Sequence, residues 1–136
     1  MRPSAHRTRP CAHTRSDPVS RSLLHLATTL DRGGAEKALL HLASAQVASG
    51  RWRVEVAYLK GEGELAAEFE AAGVRVHDLG FRGLGAVGAY GRARRLTREL
   101  APDVVYTHLF KTDTLGAEMV GPHRPGRAAL ISTKHN

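Results

Sequence analysis

The sequence is poor in aromatic residues and in cysteine. Phe, Trp and Tyr make up 5% of the chain, so a folded core must be built mainly from Leu, Val and Ala. Cys11 is the single cysteine and has no partner for an internal disulfide. No apolar run approaches the ~20 residues that a membrane-spanning helix needs. The first apolar stretch, residues 23–27, is too short and too interrupted by His25 for a secretory signal, so we expect a cytoplasmic protein.

Several motifs that carry common chemistries are missing. The sequence has no G-x-G-x-x-G, and Leu59 and Lys60 follow the second predicted strand, where a dinucleotide site would place Asp or Glu. A dehydrogenase of the usual kind is therefore disfavoured. There is also no P-loop, no G-x-S-x-G elbow and no pair of His, Cys or acidic residues at the close spacing of zinc ligands. We expect no cofactor and no metal site.

The positive charge is concentrated near the amino terminus. The formal net charge is +7, and residues 1–22 hold five arginines against one aspartate, so the rest of the chain is only mildly basic. This balance does not demand nucleic-acid binding, and we expect none. Residues 1–21 contain almost no large apolar side chain and are expected to form a disordered leader. A basic arm that contacts an acidic surface is the alternative.

From Leu23 onwards, short apolar runs alternate with segments of helical periodicity. The pattern predicts one α/β domain over residues 22–136, with a parallel sheet covered by helices on both faces. The commonest right-handed arrangement is the Rossmann-like strand order 3-2-1-4-5. The predicted strands are residues 23–27, 54–58, 74–79, 103–107 and 129–133, and the predicted helices are residues 35–49, 64–72, 87–100 and 114–120.

This strand order predicts a ligand crevice at the carboxyl ends of the first and fourth strands, where the order reverses. Gly33 and Gly34 lie in the loop after the first strand and at the start of a helix. Free N–H groups at a helix N-terminus, together with its positive dipole end, suit a phosphate. A tight turn that simply needs glycine is the alternative.

Two histidines follow neighbouring strands at the same edge of the predicted sheet. His108 follows the fourth strand and His135 follows the fifth. An imidazole there can donate hydrogen bonds to hydroxyls or phosphates, or transfer protons near neutral pH. Polar residues at strand exits that bind no ligand are the alternative. The other histidines are assigned to the leader, to strands or to the surface: His6, His13, His25, His41, His77 and His123.

The helix predicted at residues 87–100 carries four arginines beside its apolar stripe: Arg92, Arg94, Arg95 and Arg98. A solvated face of an amphipathic helix accounts for this pattern. The alternative is a weak contact with anionic lipid headgroups, weakened further by salt. That contact would hold the protein peripherally on the inner face of the cell membrane.

Five segments resemble, in order and spacing, the amino-terminal, acceptor-side domain of family 4 retaining glycosyltransferases, which have GT-B architecture. The segments are L-L-H-L-A-T-T-L-D-R-G-G-A-E (23–36), G-E-G-E-L (61–65), A-A-G-V-R-V-H-D-L (71–79), A-P-D-V-V-Y-T-H-L (101–109) and L-I-S-T-K-H-N (130–136). The resemblance implies transfer of a sugar from a nucleotide-diphosphate sugar to a hydroxyl of a glycan or lipid-linked acceptor. It also implies that no metal is needed.

The resemblance assigns roles to individual residues. Gly33 and Gly34 would approach the donor diphosphate, and His135 would face the reacting sugar and the acceptor. His108 would occupy a polar position on the same rim. Lys111 and Lys134 would complete the substrate- and phosphate-binding set, although many relatives carry an acidic or neutral residue where this sequence has Lys134.

The resemblance also implies a second, carboxyl-terminal domain that binds most of the donor. The sequence contains neither its paired-glutamate motif nor its basic residues, so we expect the chain alone to be inactive as a transferase. Two alternatives to a transferase domain remain open at this point. One is a non-catalytic nucleotide-binding Rossmann module, and the other is a basic module that docks on an anionic membrane.

Overall fold

A computed structural model of the protein describes residues 20–80, 85–108 and 129–133. Strands and helices alternate along residues 20–108. In chain order they are β1 (Arg21–Ala27), α1 (Gly34–Ala48), β2 (Trp52–Tyr58), α2 (Ala66–Ala71), β3 (Arg75–Asp78), α3 (Gly85–Leu100), β4 (Val104–His108) and β5 (Ala129–Thr133). The helix predicted at residues 114–120 lies outside the described residues.

The strands form a parallel sheet. β1 pairs with both β2 and β4, and β2 pairs with β3, so the first four strands lie in the order 3-2-1-4. β5 lies parallel to β4, on the side away from β1. The predicted α/β class and parallel sheet are confirmed, as is the order of the first four strands. β1 and β4 are therefore neighbours at the point where the strand order reverses.

Helices cover both faces of the sheet, which explains why its central strands are almost continuously apolar. Alternate residues of β1 point to opposite faces: Leu23 packs with α1 and α2, whereas Leu24 packs with α3. The last five residues of β1 and of β2 are all buried. The two cores together hold the sheet between its helical layers.

The short helix α2 depends on the core for its stability. Six residues are too few for a helix that is stable by itself in water. Phe69 extends from α2 into the core and is fully buried beside Leu30 and Leu65. Gly73 then ends the segment with a φ of 86°, in the left-handed region that favours glycine. α2 thus connects the loop after β2 to β3 by packing rather than by helix propensity.

The observed element bounds differ from the predicted bounds by at most two residues. β1 begins at Arg21 rather than Leu23, because Arg21 N–H donates a hydrogen bond to the Arg51 carbonyl and extends the ladder. The helix predicted at residues 64–72 spans only Ala66–Ala71, since Ala66 N–H closes a turn onto the Gly63 carbonyl.

Candidate functional site

The carboxyl ends of β1 and β4 lie side by side. Ala27 and His108, the last residues of these two strands, are partners in the parallel ladder. We call residues 28–34 together with His108 the switch-point rim. His108 was predicted as the first loop residue but is the last residue of β4, because its pairing with Ala27 and Thr133 continues the ladder. Three further predicted site residues lie outside the described residues: Lys111, Lys134 and His135.

The loop of the switch-point rim is held in place by the turn that follows β2. The Asp31 carboxylate accepts hydrogen bonds from the N–H groups of Glu62 and Gly63, both at 3.0 Å. Leu65 N–H donates to the Leu30 carbonyl at 2.9 Å. The chain that leads into α1 is therefore bound to a second loop before any ligand is present.

Glycine is required in this turn for two physical reasons. Gly61 and Gly63 have φ angles of 96° and 67°, which other residues adopt only with strain. A Cβ atom at Gly61 would also collide with the Asp31 carboxylate, and one at Gly63 would collide with the Tyr58 hydroxyl. The G-E-G segment thus lets the two loops approach closely enough for the Asp31 hydrogen bonds.

We expect Asp31→Ala to lower the free energy of unfolding by about 1–2 kcal/mol, because it removes the acceptor of two backbone N–H groups. Asp31→Asn keeps one acceptor oxygen and should lose less. Urea denaturation followed by circular dichroism measures both variants. If Asp31→Ala were as stable as the wild type, the contact between the two loops would contribute nothing to stability.

The amino terminus of α1 is occupied by a carboxylate of the protein itself. Gly33 is the N-cap and adopts extended backbone, with φ −137° and ψ 169°, but it has no side chain to cap the helix. Glu36 folds back into the space that a Cβ on Gly33 would fill. Its Oε1 accepts a hydrogen bond from the Thr29 hydroxyl at 2.9 Å. An acidic side chain here is stabilised by the helix dipole, so an incoming phosphate must displace it or share the space.

The conformation of Gly33 and Gly34 does not explain why they are glycines. Neither has a positive φ, so the alternative of a turn that needs glycine for its backbone angles does not hold. At Gly33 the free space is taken by Glu36. A Cβ at Gly34 would meet no atom of the described residues within 4 Å. Gly34 therefore leaves open space beside the first turn of α1.

A buried histidine lies directly behind His108. His25 in β1 is fully buried, and its Nδ1 lies 2.8 Å from His108 Nε2. Its Nε2 lies 2.8 Å from Gln46 Oε1 of α1. The Tyr106 ring packs against both imidazoles, with centroid distances of 5.3 Å to His25 and 4.4 Å to His108.

Burial lowers the pKa of His25 from 6.5 to about 4, against the smaller opposing effect of the Gln46 hydrogen bond. His25 is therefore neutral at pH 7. The sequence predicted His25 only as a strand or surface residue. The available signal was a polar side chain within the apolar run of residues 23–27.

A second buried polar group lies between β2 and β3. Glu55 is 5% exposed, and its Oε2 lies 2.6 Å from His77 Nε2. Burial alone would raise the pKa of Glu55, but the hydrogen bond and charge of His77, with Arg75 and Arg53 nearby, outweigh it and lower this pKa. Arg53, Glu55 and Arg75 line a cleft of about 320 Å³ with Glu99 of α3.

This cleft is separate from the switch-point rim. Arg53 is the second residue of β2 and Arg75 is the first residue of β3, so the cleft lies towards the amino ends of the strands. Ligands of open α/β sheets bind at the opposite, carboxyl edge. We therefore assign the Glu55 pair to the packing of β2 against β3.

The arginines of α3 do not form one free cationic surface. Arg92 donates from one guanidinium nitrogen to the carbonyls of Leu79 and Gly80, at 2.9 and 3.0 Å. It thereby fixes the segment that follows β3. Arg95 forms an ion pair with Glu99 at 2.8 Å. The remaining two, Arg94 and Arg98, are exposed.

Two further features are absent from the part of the chain that the structure describes. None of its helices combines the length and apolar character needed to cross a membrane. Nor do three or more His, Cys, Asp or Glu residues come together there in a way that could bind a metal.

Comparison with known protein families gives a match for this chain. The family model described as "Glycosyl transferase 4-like domain" matches residues 33–133, which is more than half of the chain. The matched region begins at Gly33 and extends through β4 and β5. No curated protein and no solved structure matches the chain. The chain belongs to the family of glycosyl transferase 4-like domains.

Proposed function

We propose that this chain is the acceptor-side domain of a retaining, GT-B glycosyltransferase in the cytoplasm. The enzyme transfers a sugar from a nucleotide-diphosphate sugar to a hydroxyl of a glycan or lipid-linked acceptor. Family membership supports sugar transfer in general. The observation that carries the finer proposal is the open space at Gly34, which lies on the switch-point rim.

The open space at Gly34 supports a close approach by a ligand. Gly34 has no positive φ, and a Cβ added there would meet no atom of the described residues. A ligand that approaches the backbone closely, and that a side chain would block, explains why this position is glycine. The adjacent N–H groups of the first turn of α1 favour an anion. We therefore assign Gly33 and Gly34 to the donor diphosphate, with Glu36 moving aside as the diphosphate binds.

The proposed reaction needs no metal and no covalent enzyme intermediate. The acceptor hydroxyl oxygen forms a bond to the anomeric carbon of the donor sugar as the bond from that carbon to the diphosphate breaks. The hydroxyl proton passes to the leaving phosphate. His135 faces the reacting sugar and acceptor, Lys111 and Lys134 neutralise negative charge, and His108 binds the acceptor from the rim. Neither histidine is required to be the base.

We propose that a second domain supplies most of the affinity for the donor. The chain should then bind glycans without binding nucleotide sugars tightly. A glycan array probed with the labelled chain is expected to retain at least one class of oligosaccharide. Calorimetry with UDP-glucose and GDP-mannose should give dissociation constants no tighter than ~1 mM, that is, about −4 kcal/mol or weaker. Transfer from either donor by the chain alone should be undetectable.

The alternatives give different outcomes in the same experiments. Micromolar nucleotide-sugar affinity without any glycan binding would favour the non-catalytic Rossmann module and contradict our assignment. An anionic membrane as main partner is weakly supported, because Arg92 is held by carbonyl groups and Arg95 pairs with Glu99. All four arginines are exposed, but with two of them engaged within the chain the set suits at most a weak peripheral contact.

A further inference from the structure

The cleft lined by Arg53 and Arg75 holds a buried carboxylate that is only partly hydrogen-bonded. Glu55 is 5% exposed, and its Oε2 lies 2.6 Å from His77 Nε2. Its other oxygen, Oε1, has no hydrogen-bond donor within the residues that the structure describes, and its ion-pair contact with Arg53 Nε is 3.8 Å long. Buried acceptors are normally hydrogen-bonded, because leaving one unpaired costs free energy. The packing of β2 against β3 through His77 therefore explains one oxygen of Glu55 and not the other.

Two guanidinium groups lie on the same face of the sheet as this carboxylate. Arg75 is the ladder partner of Glu55, and Arg53 lies two residues before Glu55 in β2. Both arginines are exposed and line the cleft. Arg75 forms no ion pair or side-chain hydrogen bond with any residue that the structure describes, and it acts on Glu55 through its charge alone. The two arginines thus retain N–H donors for an anionic group.

The charges around the cleft decide which groups a ligand can carry. Glu99 also lines the cleft, but it forms an ion pair with Arg95 at 2.8 Å. Against the opposing effect of burial, His77 and the two cleft arginines hold the pKa of Glu55 below its ordinary value, so this carboxylate is ionised at pH 7. Two arginines against one carboxylate favour an anion. The group that suits Oε1 is then a hydroxyl, because it donates a hydrogen bond without adding a positive charge beside the arginines.

We propose that the cleft is a binding site for a small hydroxylated anion. The guanidinium groups of Arg53 and Arg75 bind its phosphate or carboxylate group, and Glu55 Oε1 accepts a hydrogen bond from a neighbouring hydroxyl. Glycerol phosphates, sugar phosphates and hydroxy acids share this chemistry.

The size and position of the cleft limit the ligand further. Its volume of about 320 Å³ lies at the lower end of the range for small-molecule sites, and Leu100 provides an apolar wall for a short carbon chain. The site lies at the amino ends of β2 and β3, whereas the switch-point rim lies at the carboxyl ends of β1 and β4. Its ligand is therefore neither the donor nor the acceptor of the proposed reaction, and the site stands independently of that reaction.

Titration of the ¹⁵N-labelled full chain at low salt tests the site directly. We expect glycerol 3-phosphate to shift the amide signals of Arg53, Glu55 and Arg75 in a saturable way, with a dissociation constant on the order of 1 mM, and to leave residues 28–34 unchanged. Glycerate replaces the phosphate by a carboxylate, and the tighter of the two ligands identifies the anionic group. If neither shifts these amides at about 20 mM, roughly twenty times the expected dissociation constant, the proposal is wrong.

Arginine variants separate the cleft from the general charge of this edge of the sheet. Arg75→Gln removes one guanidinium group from an exposed position and should weaken the binding of glycerol 3-phosphate about tenfold. Arg51→Gln is the matched control, because Arg51 is an exposed arginine directly before β2 that does not line the cleft. It should bind within twofold of the wild type. Equal losses in the two variants would contradict a specific site.

Methyl phosphate tests the hydroxyl contact, since it keeps the anionic group and has no alcohol. It should bind the wild type about tenfold more weakly than glycerol 3-phosphate, the loss of one hydrogen bond to a charged acceptor. Glu55→Met removes that acceptor at similar side-chain volume, so we expect it to bind the two ligands equally, with methyl phosphate bound at least as tightly as by the wild type. A tenfold preference that persists in Glu55→Met would overturn the role of Glu55. Circular dichroism checks that this variant is folded, and the Arg75→Gln result does not depend on it.

Discussion

Phe69→Ala is expected to lower the free energy of unfolding by about 3–5 kcal/mol, the usual cost of removing a fully buried aromatic ring. Phe69 is 0% exposed and attaches the six-residue helix α2 to the core. Its carbonyl also accepts the hydrogen bond from Val74 N–H that leads into β3. A domain of this size is stabilised by roughly 5–15 kcal/mol in total, so the variant should be close to unfolding at 37 °C.

Urea denaturation monitored by circular dichroism measures the loss. Leu42→Ala is a suitable control, since Leu42 is a large apolar residue that is 38% exposed on α1. We expect it to change stability by no more than about 0.5 kcal/mol. A loss below 1 kcal/mol for Phe69→Ala would mean that α2 does not pack on the core as described.

Acidification from pH 7 to pH 4 is expected to remove roughly 3 kcal/mol of stability through His25. Burial lowers the pKa of His25 from 6.5 to about 4 in the folded chain. Between these two values the unfolded chain binds the proton and the folded chain does not. The free energy of unfolding therefore falls as the pH drops from 6.5 towards 4, and the contribution of His25 is constant above this window.

Comparison of the wild type with His25→Phe isolates this effect. Urea midpoints at pH 7, 5.5 and 4.5 should fall more steeply in the wild type than in the variant, even though the variant is less stable at pH 7. The pKa of Glu55 is also lowered, so Glu55 loses its stabilising charge as the pH falls below the ordinary pKa of a glutamate. This loss of stability is the same in the wild type and in His25→Phe. Equal pH slopes in the two proteins would contradict the buried, neutral state of His25.

The strands could be predicted from the sequence because both faces of the central strands are buried. Such strands are near-continuous apolar runs, and the glycines and prolines between them mark the turns. The reversal of strand order followed from the handedness of the crossovers. The edge of the sheet that carries the switch-point rim was therefore predictable before any coordinates were known.

The polar contacts depend on strand register, which the sequence did not provide. His25 is the ladder partner of Tyr106, and its ring reaches His108 two residues further along β4. Glu55 likewise is the partner of Arg75 and reaches His77 two residues further along β3. In each pair the two side chains are diagonal neighbours on adjacent strands and lie on the same face of the sheet as each other. Without the register, each of these residues was an isolated polar position in an apolar strand.

Two side-chain contacts, one made by Glu36 and one by Arg92, were also not predicted from the sequence. The sequence indicated that Gly33, at a helix start, suits a phosphate, but it did not show that the Glu36 carboxylate folds back beside Gly33. The spacing of three residues between an N-cap and an acidic residue could have indicated this. Arg92 was grouped with the surface arginines, whereas it binds the carbonyls of Leu79 and Gly80. Its partners lie twelve or more residues away, where helical periodicity carries no information.

The central claim is that the switch-point rim is the substrate-binding surface, with His108 towards the sugar acceptor and Gly33 and Gly34 towards the donor diphosphate. Amide chemical-shift mapping of the ¹⁵N-labelled chain with a glycan retained on the array tests this claim most directly. We predict that the shifts concentrate at residues 28–34 and His108, with Arg53, Glu55 and Arg75 unchanged. Shifts confined to the Arg53–Arg75 cleft, with none on the switch-point rim, would contradict the account.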